Sequence, residues 1–251
     1  EYAAVGKYGT GRIYERIKDK IIKLGGKIKL QETITNFIYE EKKIKLIKSN
    51  KKEYKIDNDT IVISSLPLSI TSRFLGKKNN LRFRGVCSVF LFYNQENILP
   101  KDHHWLYFDS DKVLFNRITE NKKLSKYLAP KKKSYLTAEI TYSSGDKFSR
   151  TNSREIIKKV IDQINQIKLV DKKKLIRTEI NYEPFVYPVQ FYNYKNEIAN
   201  VKSYVESFNN LFSIGASGEF NYADSQILFH KSFDLVNSLT NRFSDNTNDT
   251  K

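Results

Sequence analysis

At 251 residues, with 39% hydrophobic content and a formal charge of +16, the chain can pack one large domain or two modest ones. No run approaches the roughly 20 apolar residues of a membrane-spanning helix and no secretory signal opens the chain, which excludes a membrane span and points to the cytoplasm. The positive charge comes from lysines scattered along the whole chain and interleaved with Ile and Asn, as an AT-rich coding sequence produces, so no nucleic-acid partner is expected.

Glu1 to Lys7 reads as the continuation of an earlier segment, and with no Met anywhere the chain is expected to be a fragment. A chain whose modified methionines go unwritten would look the same. The loop Gly6-Lys-Tyr-Gly-Thr-Gly11 leads into a predicted helix, Arg12 to Leu24, with Ile13, Ile17, Ile21 and Leu24 at helical spacing. Gly25-Gly26 stops it. Lys27 to Leu30, Thr33 to Tyr39, Lys43 to Ile47 and Glu53 to Ile56 alternate apolar and polar residues, which predicts a small antiparallel ribbon. Thr60-Ile-Val-Ile-Ser-Ser65 has the composition of a strand buried on both faces, and Leu66-Pro67 closes it.

Four further strands are predicted at Val86 to Tyr93, His104 to Phe108, Lys112 to Ile118 and Ser134 to Tyr142. Cys87 lies in the first of them; alone in the chain, it cannot form an internal disulfide or a zinc cluster, and it is expected to be a buried, inert thiol. The blocks Lys131-Lys-Lys133 and Lys172-Lys-Lys174 read as solvated turns. Thr151-Asn-Ser153 offers a helix cap, and Ile156, Ile157, Val160, Ile161, Ile164 and Ile167 continue the helical stripe expected to cover this sheet. Arg177 to Tyr182 is another strand candidate, Pro184 to Tyr194 is aromatic-rich around Pro188, and Glu197 to Phe208 is a short amphipathic helix.

The stretch Asn210 to Tyr222 then reads as a buried strand, a glycine turn and, from Ala223 to Leu239, a helix. Leu211, Phe212 and Ile214 are apolar, while Gly215 and Gly218 let the backbone turn sharply and approach a ligand closely. Free amides at a helix start make such a turn a natural anion seat. The tail from Asn241 to Lys251 is polar and expected to fray.

Taken together, Gly9-Thr-Gly11 with its helix, Leu24 to Ile34, Thr60 to Pro67, Tyr187-Pro188 and the glycine turn resemble the FAD-dependent amine oxidase superfamily. The branch they resemble includes protoporphyrinogen oxidase and UDP-galactopyranose mutase. The resemblance runs from Tyr8 to Leu239 and covers the middle and C-terminal parts of such a protein. The strand, GxGxxG turn and acidic residue that hold the ADP half of FAD in that family have no counterpart in this sequence. The resemblance implies that the backbone of Ile34 contacts the adenine. It implies that Gly215, Ala216 and Gly218, within the run that also holds Ser217 and Glu219, contact pyrophosphate and ribityl. It implies further that the amides of Ser225, Gln226 and Ile227 face the flavin pyrimidine, where a helix start stabilises the anionic reduced ring. Many relatives carry Arg where this chain has Ala216, and Glu219 sets a carboxylate beside the expected pyrophosphate. Tyr187 and Tyr222 would stand on the substrate side, within an aromatic wall from Phe185 to Tyr194, with Glu183 a candidate polar group; these rings read equally as core.

Competing motifs are weaker. Gly215-Ala-Ser-Gly-Glu219 nearly spells a nucleophile elbow, but Glu219 replaces its last glycine and His230 lies in the helix that follows Ser217. His103-His104 and Asp109-Ser-Asp111 match no metal site. Neither Asn58-Asp-Thr60 nor Asn248-Asp-Thr250 has consequence as a glycosylation sequon without a secretory signal.

The expected fold is α/β (α+β). Residues 1–68 and 208–251 would form a partial FAD/NAD(P)-binding domain, and residues 69–207 a mixed-sheet substrate domain with covering helices. The expected function is FAD-dependent oxidation of a small-molecule substrate. A UDP-galactopyranose mutase-like enzyme and a non-catalytic fragment stand as alternatives.

Overall fold

The computed structural model describes residues 6–248, with side chains from 6 to 241. The expected junction at Glu1 to Lys7 therefore falls largely outside the described residues, as does the end of the polar tail at 249–251. In chain order the elements are α1 Gly11–Lys23, β1 Ile34–Glu40, β2 Lys43–Ser49, β3 Glu53–Lys55, β4 Val62–Ser64, α2 Leu68–Phe74, β5 Phe83–Tyr93, β6 Trp105–Tyr107 and β7 Arg117–Glu120. They continue with α3 Asn121–Leu124, β8 Ser134–Ser143, α4 Ser153–Gln166, β9 Leu175–Pro188, α5 Tyr194–Glu206, β10 Leu211–Ser213, α6 Gly215–Gly218 and α7 Ser225–Asn248. The chain has an α/β fold with both antiparallel and parallel strand pairs. It divides into two compact units, residues 1–30 with 84–184 and residues 31–83 with 185–251. Of the segments expected to form the nucleotide-binding domain, 31–68 and 208–251 lie in the second unit and 1–30 in the first.

The first unit is built on a five-stranded sheet in the order β6-β7-β8-β5-β9. Alternate residues of β5, from Phe83 to Tyr93, turn inward, so Cys87, Val89 and Leu91 meet Leu136, Ala138 and Ile140 of β8 in one core. Helix α4 closes it with Ile156, Val160 and Ile164, all buried. Its cap is the expected one: Asn152 Oδ1 accepts the Arg154 amide at 2.8 Å. Arg117 and Glu139, opposite each other on β7 and β8, form a bidentate pair at 2.8 and 2.9 Å. Burial pushes the Cys87 thiol up to about 11, consistent with an inert side chain.

Several element predictions need correction. Residues 27–30 carry no strand, because no neighbouring strand offers them a ladder. The strand expected at Lys112 to Ile118 begins only at Arg117. The apolar run before it is held under α4 instead, where Gln163 donates to Lys112 O at 3.1 Å and accepts from the Leu114 amide at 3.0 Å. β9 runs past Tyr182 to Pro188, into the aromatic segment. Helix α7 continues to Asn248, through most of the tail expected to fray.

The second unit joins the antiparallel ribbon β1-β2-β3 to a two-stranded parallel sheet, β4 and β10. Its core draws on Ile44, Val62, Leu68, Val205 and Leu211. The hydroxyls of Tyr39 and Tyr204 both donate to Leu75 O, at 3.0 and 2.8 Å, tying β1 and α5 to the end of α2. β4 is buried on one face only among the described residues: Val62 and Ser64 are covered, whereas Ile63 is 51% exposed.

The second unit turns on Asn210. Its side chain accepts from the Ile44 amide at 2.8 Å and donates to Ile44 O at 3.1 Å, while its own carbonyl accepts from the Val62 amide at 2.8 Å. Replacing Asn210 with Leu leaves two buried backbone groups of Ile44 without partners, and urea unfolding should register a loss of about 2–4 kcal/mol. Thiol labelling should separately find Cys87 unreactive in the folded chain and reactive once it is unfolded in urea.

Candidate functional site

β4 and β10 pair in parallel, Leu211 opposite Val62 and Ser213 opposite Ser64, so both strands end on the same side. The crevice beyond the carboxyl ends of parallel strands is where α/β folds bind ligands. Here it is filled by the glycine turn. The Ile214 amide donates to Ser64 O at 2.9 Å, Gly215 follows at φ +93°, and Gly215–Gly218 winds one helical turn. A side chain at Gly215 would be strained at that φ. At Gly218 a Cβ would come within 3.2 Å of Ser213 Oγ and 3.3 Å of Ser64 O, because Ser213 Oγ donates to Gly218 O at 2.7 Å and holds the turn down.

The helix expected at Ala223 does not follow directly. Phe220 takes a left-handed conformation, φ 52°, and buries its ring against Phe83 with centroids 4.9 Å apart; α7 begins at Ser225. The aromatic anchor sets the break between the turn and the long helix.

Each expected site residue can be located. Ala216 is half-buried in the turn, and its carbonyl accepts from the Asn221 amide at 2.8 Å. The Ser217 hydroxyl donates to Phe185 O at 3.2 Å, and His230 is exposed, so the serine hydroxyl is committed to a backbone tie. Glu219 is paired: both carboxylate oxygens accept from Lys231 Nζ, at 2.9 and 2.8 Å. Ser225, Gln226 and Ile227 open α7 and are exposed, and the Ile227 amide donates to Asp224 O at 3.0 Å. Ile34 begins β1 opposite Ser49, on the antiparallel ribbon, and lines neither of the clefts described next. The rings of Tyr187 and Tyr222 come together at 5.6 Å. The rest of the aromatic wall divides: Phe185 packs on Phe83 at 5.7 Å, Tyr192 stands 98% exposed, and Glu183 lies exposed on β9 in the first unit.

Two clefts flank the Glu219–Lys231 pair, and both are lined by Lys202, Glu219 and Lys231. One, of about 560 Å³, runs between α5, β10 and α7 and includes Phe212, Ile214 and Asp234. The other, of about 580 Å³, is walled by Pro188, Tyr194, Ile198, Phe220 and Tyr222, with Lys195 at its side. Three lysines against one glutamate make the second cleft a positively charged, partly aromatic site suited to an anionic, ring-bearing ligand. Sequence reading missed Lys195, Lys202 and Lys231, because nothing distinguishes them from the many other lysines of the chain until α5 and α7 are folded against the turn. Among the described residues no cluster of His, Cys, Asp or Glu could hold a metal ion, and no helix is long and apolar enough to cross a membrane.

No protein-family model and no curated protein sequence matches the chain. Solved structures do. Reduced UDP-galactopyranose mutase superposes with a TM-score of 0.69 at 20% identity, over 84% of this chain and 46% of its own. A protoporphyrinogen oxidase-like protein from Exiguobacterium sp. 255-15 gives 0.66 at 13% identity, over 83% and 46%. A fatty acid isomerase from P. acnes that produces CLA gives 0.60 at 16% identity, over 92% and 52%. The chain spans about half the length of each of these proteins. It has the fold shared by the UDP-galactopyranose mutase and protoporphyrinogen oxidase-like proteins, the fold implied by its resemblance to the FAD-dependent amine oxidase superfamily.

Proposed function

We propose that the chain is part of an FAD-dependent oxidoreductase of the amine oxidase type, acting on a small molecule in the cytoplasm. The observation that carries this reading is the glycine turn at the shared end of β4 and β10, with the positively charged, partly aromatic cleft beside it. Its residues suit the cofactor. The missing Cβ of Gly218 lets the turn lie close on Ser64 and Ser213, and Lys231 neutralises Glu219, a carboxylate within the turn that would repel a pyrophosphate. Gly215, Ala216 and Gly218 would hold pyrophosphate and ribityl, Ile34 the adenine, and the start of α7 from Ser225 to Ile227 the pyrimidine edge. In this reading residues 1–68 and 208–251 serve the nucleotide and residues 69–207 the substrate.

FAD, once bound, would accept a hydride at N5 from a C–H next to nitrogen or oxygen. The chain's own contribution is positioning and electrostatics. Ser213 Oγ and the Ile214 amide keep the turn against Ser64, so the backbone presented to the ligand is rigid. Tyr187 and Tyr222 would bound the substrate and exclude water; no side-chain acid is required. A mutase-like reading has support of its own from the likeness to UDP-galactopyranose mutase and from the net positive charge of the aromatic cleft, which suits a sugar nucleotide. The half-length match to the solved structures supports a third reading, a fragment that does not catalyse by itself.

Titrating FAD into this chain, and into one extended at its N-terminus, tests the assignment by flavin fluorescence. Saturable binding by the extended form is expected, and the absence of flavin binding by both would refute it. Lys231→Ala should weaken that binding about tenfold, by leaving Glu219 unpaired next to the phosphates. Gly218→Ala should weaken it as well and should lower stability by about 1 kcal/mol or more, because its Cβ meets backbone oxygens. Conversion of UDP-galactopyranose without net electron transfer would favour the mutase reading over oxidation.

A further inference from the structure

Lys123, in the short helix α3, has only 11% of its side chain exposed. Its Nζ donates to three successive backbone carbonyls, those of Leu99 at 2.8 Å, Lys101 at 3.3 Å and Pro100 between them, and a Glu120 carboxylate oxygen lies 3.9 Å away. An ammonium has three N–H donors, and all three are spent on this one bend of chain.

Glu120, at the end of β7, is fully buried. Its carboxylate accepts from the Ile98 amide at 3.1 Å, the Leu99 amide at 2.8 Å and Ser134 Oγ at 2.6 Å, while its own amide donates to His104 O at 2.9 Å. The bend at residues 98–101 is therefore held by opposite charges: the carboxylate takes its amides and the ammonium its carbonyls. Three carbonyl oxygens aimed at one point repel one another unless a positive charge lies between them.

Convergent backbone carbonyls with a carboxylate beside them are the donor set of a cation site, in which carbonyl oxygens replace the ion's water. The 2.8 and 3.3 Å contacts are longer than the about 2.3–2.6 Å of calcium or the about 2.0–2.1 Å of magnesium, and one carboxylate balances one positive charge. We propose that the carbonyls of residues 99–101 and the carboxylate of Glu120 form a monovalent-cation site whose cation the chain supplies itself, as Lys123 Nζ, and that potassium or ammonium fills it when that side chain is shortened. Pro100 and Lys101 are exposed, so an ion can reach the cage from solvent. The site lies wholly in the first unit and does not depend on the flavin reading.

Thermal unfolding followed by the fluorescence of Trp105, the single tryptophan of the chain and next to His104 in sequence, tests it. Unfolding temperatures are compared with the parent chain in the same salt: potassium, ammonium or choline chloride at equal concentration, choline being too large for the cage. Lys123→Ala opens the cage and is expected to unfold about 5 °C below the parent in choline chloride, recovering at least half of that loss in potassium or ammonium chloride. Lys123→Met fills the same space without a charge and should show the loss without the recovery. If Lys123→Ala is unfolded in choline chloride before heating, potassium or ammonium is expected to restore the parent's far-ultraviolet circular dichroism. No loss in Lys123→Ala, an equal loss in all three salts, an unfolded Lys123→Ala that neither ion restores, or a recovery as large in Lys123→Met would each overturn the proposal.

Discussion

The second unit depends on one buried side chain. Asn210 gives its amide to both backbone groups of Ile44 and its carbonyl to Val62, so a single residue links the antiparallel ribbon to the parallel pair and starts β10. Nothing apolar could replace it, because the groups it satisfies are backbone groups that a close-packed core would otherwise leave unpaired. With β10 fixed beside β4, Ser64 becomes the floor of the crevice. The glycine turn is then laid on that floor by the Ile214 amide and Ser213 Oγ.

The arrangement around the turn separates two demands. Shape comes from absence: a Cβ at Gly218 would crowd Ser213 Oγ and Ser64 O, and Gly215 holds a backbone angle that side chains disfavour. Charge comes from pairing. Glu219 beside an anion seat would be unfavourable by itself, and its two hydrogen bonds to Lys231 turn a repulsive position into a neutral one. The pair is partly exposed, so its contribution to stability is modest. Its importance lies in the field it leaves, which is governed by Lys195 and Lys202 in the cleft beside it.

Chain order and local chemistry were readable wherever the signal was periodic or capped. The alternation in β5, the stripe of α4 with its Asn152 cap, and the strand-turn-helix order after Asn210 all follow from nearest-neighbour rules. Misreadings came where a distant partner decided. Lys112 to Ile118 look like a strand, but Gln163 on α4 takes the Lys112 carbonyl and the Leu114 amide. Ile63 looks doubly buried, yet one face of β4 stays open among the described residues. The helix expected at Ala223 starts two residues later, because the Phe220 ring is drawn onto Phe83, 137 positions earlier in the chain.

By itself the sequence determined most of the elements, the glycine positions and, through its resemblance to a known superfamily, the fold, since these rest on local periodicity and on residues with special backbone freedom. Only the tertiary structure decided which side chains share a site. It matched Lys231 to Glu219 and Tyr187 to Tyr222, and committed Ser217 to a carbonyl of β9. Those pairings join residues 12 to 35 positions apart through turns whose angles depend on packing, and no local rule carries that information.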